Sequence, residues 1–247
     1  MKSISVIIPV YNGSRSIKEL FNQLTKVLSG LSSQYEIIFV DDFSHDNSWE
    51  IIRTIHNHYN NVKAFRLNKN YGQQSALLCG MKAASFDFVV TIDDDLQHNP
   101  EHIRLMVEEM NKGYDMVYCV FHQSYHSFYR KLGSKMTDQL FNFVLKKPKD
   151  IRVSSFRILK KHIVDEIIKQ DKGYVYISAS ALRLTQKVKS IDVTHQIRKF
   201  GQSNYNFKKL LKIFLKIYIY YSSNPFCRLF RKNDPIYEVK EELKDRR

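Results

Sequence analysis

A chain of 247 residues, 43% of them apolar, can furnish one large core or two small ones. Its 39 Lys and Arg against 25 Asp and Glu leave a formal charge of +14, which favours an anionic partner: nucleic acid, an acidic membrane surface or a phosphorylated small molecule. No apolar run approaches the roughly 18 residues of a spanning helix, nothing near Met1 reads as a signal peptide, and Cys79, Cys119 and Cys227 form no metal or redox motif, so a soluble or membrane-surface protein of a reducing compartment is expected.

In chain order, residues 4–10, 36–40, 62–67, 88–92 and 116–120 are short, β-branched and almost continuously apolar, as strands covered on both faces require. Amphipathic segments at helical spacing separate them, at about 16–29, 48–59, 73–84 and 100–111. Asn99, Pro100 and Glu101 predict the start of the last, with Asn as the cap. Such alternation predicts an α/β fold with a mostly parallel sheet, whose ligands sit at the carboxyl ends of the strands. Asn70-Tyr71-Gly72 reads as a strand-to-helix turn, because it lacks the glycine density of a phosphate loop. The second half is less regular: a helix over 128–145, a short strand then a helix over 156–169, a strand over 187–194, a loop over 195–205 and a basic helix over 207–221. The charged tail from Lys232 is expected to fray. His45, His56, His58, His98, His122 and His126 show no paired ligand spacing and read as surface or loop residues, whereas Cys79 and Cys119 read as core.

The chemistry concentrates where residues 88–92 run into Asp93-Asp94-Asp95. Three adjacent carboxylates at a strand end repel one another and need a proton, a basic neighbour or a cation. If the strand persists to residue 97, its period of two sets Asp93, Asp95 and Gln97 on one side and Asp94 on the other. Two carboxylates and an amide oxygen are hard ligands suited to Mg²⁺ or Mn²⁺; the plainer alternative is a solvated turn whose acids favour the next helix start. Asp41-Asp42 forms a second acidic strand end, able to accept from a nucleobase N–H or a ribose hydroxyl, with Tyr11 offering a stacking surface.

The blocks SVIIPVYN, EIIFVDDFSHDNSWEII, RLNKNYGQQSALLCGMKAA and DFVVTIDDDLQHNPEHI, followed by FRILKKHIVDEI and RKFGQSNY, resemble glycosyltransferase family 2 in order and spacing. They are most similar to its dolichol-phosphate mannose synthase and bacterial polyprenyl-phosphate branch, over roughly residues 3–225. The resemblance implies the GT-A nucleotide-sugar fold. It implies a nucleoside pocket lined by Pro9, Tyr11, Val40 and Asp42, and Asp93 and Asp94 near ribose and base. Asp95 and Gln97, with Asp93 nearby, would hold Mg²⁺ or Mn²⁺ on the diphosphate. Arg198 would meet the donor phosphates from a loop that also carries Gly201 and Ser203, and Arg130 the acceptor phosphate. Asp95, Arg198 and Arg130 are thus the expected catalytic residues. The chain departs from the pattern at Gly13, where Glu is usual, at Asn204, where Lys is usual, and at Phe121-His122, where an arginine is often found.

An inverting transfer from a nucleoside-diphosphate sugar to a polyprenyl phosphate of undecaprenyl type follows as the expectation. A sugar hydroxyl needs a carboxylate base, and residues 150–198 offer only Asp150, Asp165, Glu166, Asp171 and Asp192. A lipid phosphate is already anionic and needs cations to hold it. The expected organisation is a catalytic domain over 1–206, a basic amphipathic segment over 207–232 and a charged tail over 233–247. Residues 198–247 carry 13 basic and 5 acidic side chains, which points to an anionic membrane surface and a cytoplasmic enzyme peripheral on the inner face of the membrane. Competing readings are a family-2 transferase extending a glycan, an inactive donor-binding relative, and a nucleic-acid-binding protein. The last is disfavoured because the acidic strand ends repel phosphate unless a metal intervenes, so no nucleic-acid partner is expected.

Overall fold

The computed structural model describes residues 2–121, 148, 150–170, 173–193, 215–222, 224–231 and 236–244. The strands are β1 (Ile4–Val10), β2 (Tyr35–Asp41), β3 (Val62–Leu67), β4 (Phe88–Thr91), β5 (Met116–Phe121), β6 (Arg157–Lys160), β7 (Val188–Val193) and β8 (Val239–Leu243). The helices are α1 (Ile17–Ser29), α2 (Ser48–His58), α3 (Gln73–Ala83), α4 (His102–Asn111), α5 (Lys161–Lys169) and α6 (Ile177–Leu184). Residues 215–221 are also helical, and Pro225–Phe230 forms a 3₁₀ turn.

All eight strands join one sheet in the order β7-β5-β6-β4-β1-β2-β3-β8. β1 pairs in parallel with β2 and β4, β2 with β3, and β5 with β7; β6 enters antiparallel between β4 and β5. The period of two sorts the side chains of β1 onto two cores. Ile4, Val6, Ile8 and Val10 join the apolar faces of α1, α2 and α4, while Ile7 joins α3, α5 and α6 on the opposite face. The expected α/β sheet flanked by helices is therefore present. α3 is buried over Ser75–Met81 rather than amphipathic, because it lies between the sheet and the helices α5 and α6. Gly80 sets its approach: a Cβ there would lie 2.4 Å from Cγ2 of Ile7.

Near the amino ends of β2 and β3 a buried pair is fully dressed. Lys63 Nζ lies 2.6 Å from Glu36 Oε2 and donates to Ser85 Oγ at 2.9 Å. Glu36 Oε1 accepts from Ser5 Oγ at 2.6 Å and from the Ser85 amide at 2.7 Å. Both charges have partners, which is the condition for burying them at tolerable cost.

Several expectations need correction. β4 stops at Thr91, so the alternation through residue 97 does not occur. The tail does not fray throughout: β8 pairs antiparallel with β3, and its charges find partners there. Glu241 lies 3.8 Å from Arg66 Nη1 and accepts from Trp49 Nε1 at 3.2 Å, and Glu238 accepts from Asn68. A charged strand suits an edge, where one face meets solvent. Asn99 caps a turn, accepting the Glu101 amide, and α4 begins only at His102, two residues later than expected. His56 and His98 are buried rather than superficial: His56 Nδ1 bonds the Val62 carbonyl, and His98 stacks on Phe121 at 4.6 Å. α6 had no counterpart in the sequence reading. Cys79 and Cys119 are core residues, as expected. Among the described residues no helix is long and apolar enough to cross a membrane.

Candidate active site

Parallel pairing of β1 with β2 and β4 carries three strand ends to one place. Val10 faces Asp41 and Ile7 faces Thr91, and the amides of Asp42 and Ile92 bond the carbonyls of Val10 and Ile7. Just beyond each strand a non-glycine residue takes a left-handed conformation: Asn12 at φ 55°, Phe43 at 62° and Leu96 at 60°. Such backbone costs on the order of 1–3 kcal/mol per residue and persists only when its surroundings dictate it. Here they do. The Asn12 amide donates to Ser44 Oγ, the His45 amide to Asn12 Oδ1 and the Gly13 amide to Ser48 Oγ, each at 2.9 Å.

The three ends enclose a cleft of about 230 Å³ lined by Pro9, Val10, Tyr11, Asp42, Gln73 and Asp93–Asp95. Six of the residues expected at the donor site thus meet: Pro9, Tyr11, Asp42, Asp93, Asp94 and Asp95. Val40 does not. Its side chain is fully buried in the core on the α3 face, because the alternation of β2 turns residue 40 onto that face and residue 39 onto the other. Gln97 follows the turn and donates its amide to Asp95 Oδ1 at 3.1 Å; it does not line the cleft. Arg130, Arg198 and Ser203, with Gly201 and Asn204, lie outside the described residues.

The two acidic strand ends divide their labour. Asp41 is fully buried and paired with Arg66, 3.3 Å away. Asp42 turns to the cleft and accepts the amides of Tyr71 and Gly72, both at 2.8 Å, fixing the turn that leads into α3. That segment is the strand-to-helix turn expected of it, and Gly72 supplies its φ of 91°. Burial pushes the Asp42 carboxyl up to about 6 despite those two amides.

In the triplet, Asp93 is held between Gln73 Nε2 at 2.5 Å and Ser155 Oγ at 2.7 Å. The chain of bonds continues inward: Thr91 Oγ1 donates to the Ser155 carbonyl, and Arg157, only 2% exposed, donates Nε to Thr91 Oγ1 at 3.2 Å and Nη1 to Ser178 Oγ at 2.5 Å. Gln73 and Ser155 were not foreseen. They lie 20 and 62 residues from Asp93, and only pairing across the sheet brings them together.

Asp94 is the least comfortable member. Burial, followed by repulsion from Asp93 and Asp95, pushes its carboxyl up to about 7, and its Oδ2 is buried without a hydrogen-bond partner. A Cβ on Gly13 would stand 2.1 Å from that oxygen. The glycine at a position where the sequence pattern led us to expect Glu therefore does more than remove a contact: it vacates the space that Asp94 fills.

A crowded acidic cleft with an unpartnered carboxylate oxygen fits a divalent cation. No group of three or more His, Cys, Asp or Glu among the described residues is already gathered to hold one. The fit is therefore to an ion held by one or two carboxylates and completed by phosphate oxygens and water, the usual manner of Mg²⁺.

A mostly parallel sheet whose strand ends gather carboxylates beside an exposed tyrosine ring matches the GT-A fold of the glycosyltransferases it resembles. Residues 5–168, more than half of the chain, match glycosyl transferase family 2, and the chain belongs to that family. Its fold is similar to that of glucosyl-3-phosphoglycerate synthase from Mycobacterium tuberculosis, crystallised with Mn²⁺, uridine diphosphate and phosphoglyceric acid. That likeness has 16% identity, 89% of this chain and 77% of the other covered, and a TM-score of 0.63. It is also similar to S. aureus TarS 1–349 in complex with UDP-GlcNAc, at 17% identity, 92% and 69% coverage and a TM-score of 0.60.

Proposed function

We propose that this family-2 transferase moves a sugar, with inversion, from a nucleoside-diphosphate sugar to a polyprenyl phosphate of undecaprenyl type. The observation that carries the donor half is the shared cleft, where Asp42, Asp93, Asp94 and Asp95 lie beside Tyr11. Tyr11, 48% exposed, offers its ring to the base, and Pro9 and Asp42 complete the nucleoside pocket. Asp95, with Asp93 nearby, is the proposed ligand set for Mg²⁺ or Mn²⁺; Gln97, which lies outside the cleft, drops out of it. That ion would supply the charge that neutralises a leaving diphosphate. Gln73 and Ser155 hold the Asp93 carboxylate in place before any donor arrives. Arg198 and Ser203, from the RKFGQSNY block, would meet the donor phosphates, and Arg130 the acceptor phosphate. Support for these three is the family pattern alone.

The acceptor half rests on where acids are not among the described residues: apart from Asp42 and Asp93–Asp95, which the donor half employs, no carboxylate lines the cleft. Asp165 and Glu166 are tied to Lys161 and Lys169 on the outer face of α5, and Asp115 to Lys160 and Thr185; none lines the cleft. A hydroxyl acceptor needs a carboxylate to take its proton, whereas a phosphate monoester attacks as the anion it already is. The division into a catalytic domain over 1–206, a basic segment over 207–232 and a tail over 233–247 belongs to the same proposal. So does peripheral placement on the cytoplasmic face of the membrane.

A screen of UDP- and GDP-sugars with Mn²⁺, read by nucleoside diphosphate release with and without undecaprenyl phosphate, tests it. The expected result is release stimulated by the lipid phosphate, with the label recovered in lipid. Label recovered only in a glycan would refute the acceptor assignment.

A further inference from the structure

The 3₁₀ turn Pro225–Phe230 carries the most exposed large apolar side chains among the described residues: Phe226 at 71%, Leu229 at 80% and Phe230 at 69%. Residues three apart share one edge of such a turn, so Phe226 and Leu229 align and Phe230 extends the same patch. Their exposure is not the accident of a loose segment. Cys227, between them, is buried and accepts from Ser222 Oγ at 3.4 Å. Asn224 Oδ1 accepts the Phe226 amide at 3.0 Å. Arg231, just past the turn, donates Nε to the Ile219 carbonyl at 3.0 Å and Nη2 to the Ser222 carbonyl at 3.2 Å. The helical residues 215–221 are themselves anchored: Ile217 and Tyr221 lie in the core, and the Tyr221 hydroxyl accepts the Tyr176 amide at 2.9 Å. A turn fastened to the core thus holds three apolar side chains outward.

Charge identifies what they meet. Residues 207–232 contain seven Lys and Arg and no Asp or Glu. Within the described part, Lys216 has its Nζ 5.1 Å from the Tyr174 ring centroid rather than at a carboxylate. An exposed apolar patch within a stretch of sequence that carries seven basic and no acidic residues is the two-signal pattern of a bilayer anchor: side chains for the acyl boundary and charge for anionic headgroups. We propose that this turn docks the protein onto an anionic lipid bilayer, with Phe226, Leu229 and Phe230 entering the headgroup region. It deepens the lipid-acceptor reading by naming the surface that would bring the enzyme to its substrate. Binding itself is independent of catalysis.

The test is co-sedimentation of the full chain with phosphatidylglycerol or phosphatidylcholine vesicles, at low and high salt, without donor. Wild type should bind phosphatidylglycerol vesicles better than phosphatidylcholine ones. Leu229→Ser should bind about tenfold more weakly, and F226S/L229S/F230S at least about a hundredfold more weakly, with unchanged thermal melts because the side chains are exposed. Equal binding by the triple variant and wild type overturns the proposal. So does self-association of wild type that the triple variant abolishes while vesicle binding is absent, since the patch would then join two copies. Donor turnover assayed on the same samples in detergent separates the two ideas: turnover without vesicle binding sinks only the docking surface, and vesicle binding without turnover sinks only the transferase reading.

Discussion

Replacing Asp94 by Asn should stabilise the protein at pH 8, an unusual result for a residue facing a functional cleft. In the folded chain the carboxyl is pushed from its ordinary 3.8 to about 7, first by burial and then by Asp93 and Asp95. Between those two values the folded state binds more protons than the unfolded one, so this group's contribution to stability falls as pH rises and levels off above about 7. At 1.36 kcal/mol per pH unit, ionised Asp94 costs about 4 kcal/mol. An amide escapes that cost, but its NH₂ or oxygen toward Gly13 stays unpaired, which takes back about 1–3 kcal/mol. The net gain at pH 8 should be about 1–3 kcal/mol, shrinking or reversing by pH 5, where wild-type Asp94 is protonated in the folded chain. Urea unfolding of both proteins in EDTA at the two pH values measures it. An Asn variant no more stable than wild type at pH 8, or a gain of the same size at pH 5, would refute the reasoning.

Asp95→Ala should lower Mn²⁺-supported nucleoside diphosphate release more than about a hundredfold with an unchanged thermal midpoint, because its carboxylate lies past the strand and outside the core. Glu36→Ala should destabilise by about 3–5 kcal/mol in urea melts while leaving donor KM unchanged, since it strands the buried Lys63 ammonium far along the strands from the cleft. Gly80→Ala should cost about 1–3 kcal/mol by the same measurement, the price of moving α3 off Ile7. Gly13→Ala should raise donor KM, because the new methyl must displace the buried Asp94 carboxylate from the place it holds beside the cleft.

The sheet was legible because strands covered on both faces are apolar at nearly every position, and five of them alternate with helices whose faces repeat at 3.6 residues. The acidic strand ends were legible for the complementary reason: carboxylates do not follow such strands without cause. What failed was the local path. β6 pairs with β4 only as far as Thr91 opposite Arg157, so nothing prolongs β4 to carry Asp93, Asp95 and Gln97 in alternation. Instead a turn with Leu96 at positive φ points all three acids into one cleft. The supports of Asp93 were invisible because Gln73 and Ser155 are ordinary polar residues until the sheet assembles. β8 was missed because its pattern Val-Lys-Glu-Glu-Leu has too few apolar residues to announce a strand; Arg66 and Trp49 on the neighbouring elements make it one.

The two ends of the sheet treat buried charge in opposite ways, and that contrast bears on function. At the amino end Glu36 and Lys63 are mutually paired and further bonded to Ser5, Ser85 and the Ala83 carbonyl, so nothing is left to attract a ligand. At the carboxyl end Asp42 and Asp94 are both held above their ordinary range, and the backbone beside them is strained at Asn12, Phe43 and Leu96. A fold that can satisfy a buried acid so fully at one end has no structural need to leave four crowded at the other. The unspent binding capacity of that cleft is what a cation and the diphosphate of a nucleotide sugar would consume, and their arrival would remove the repulsion that Asp93 and Asp95 exert on Asp94.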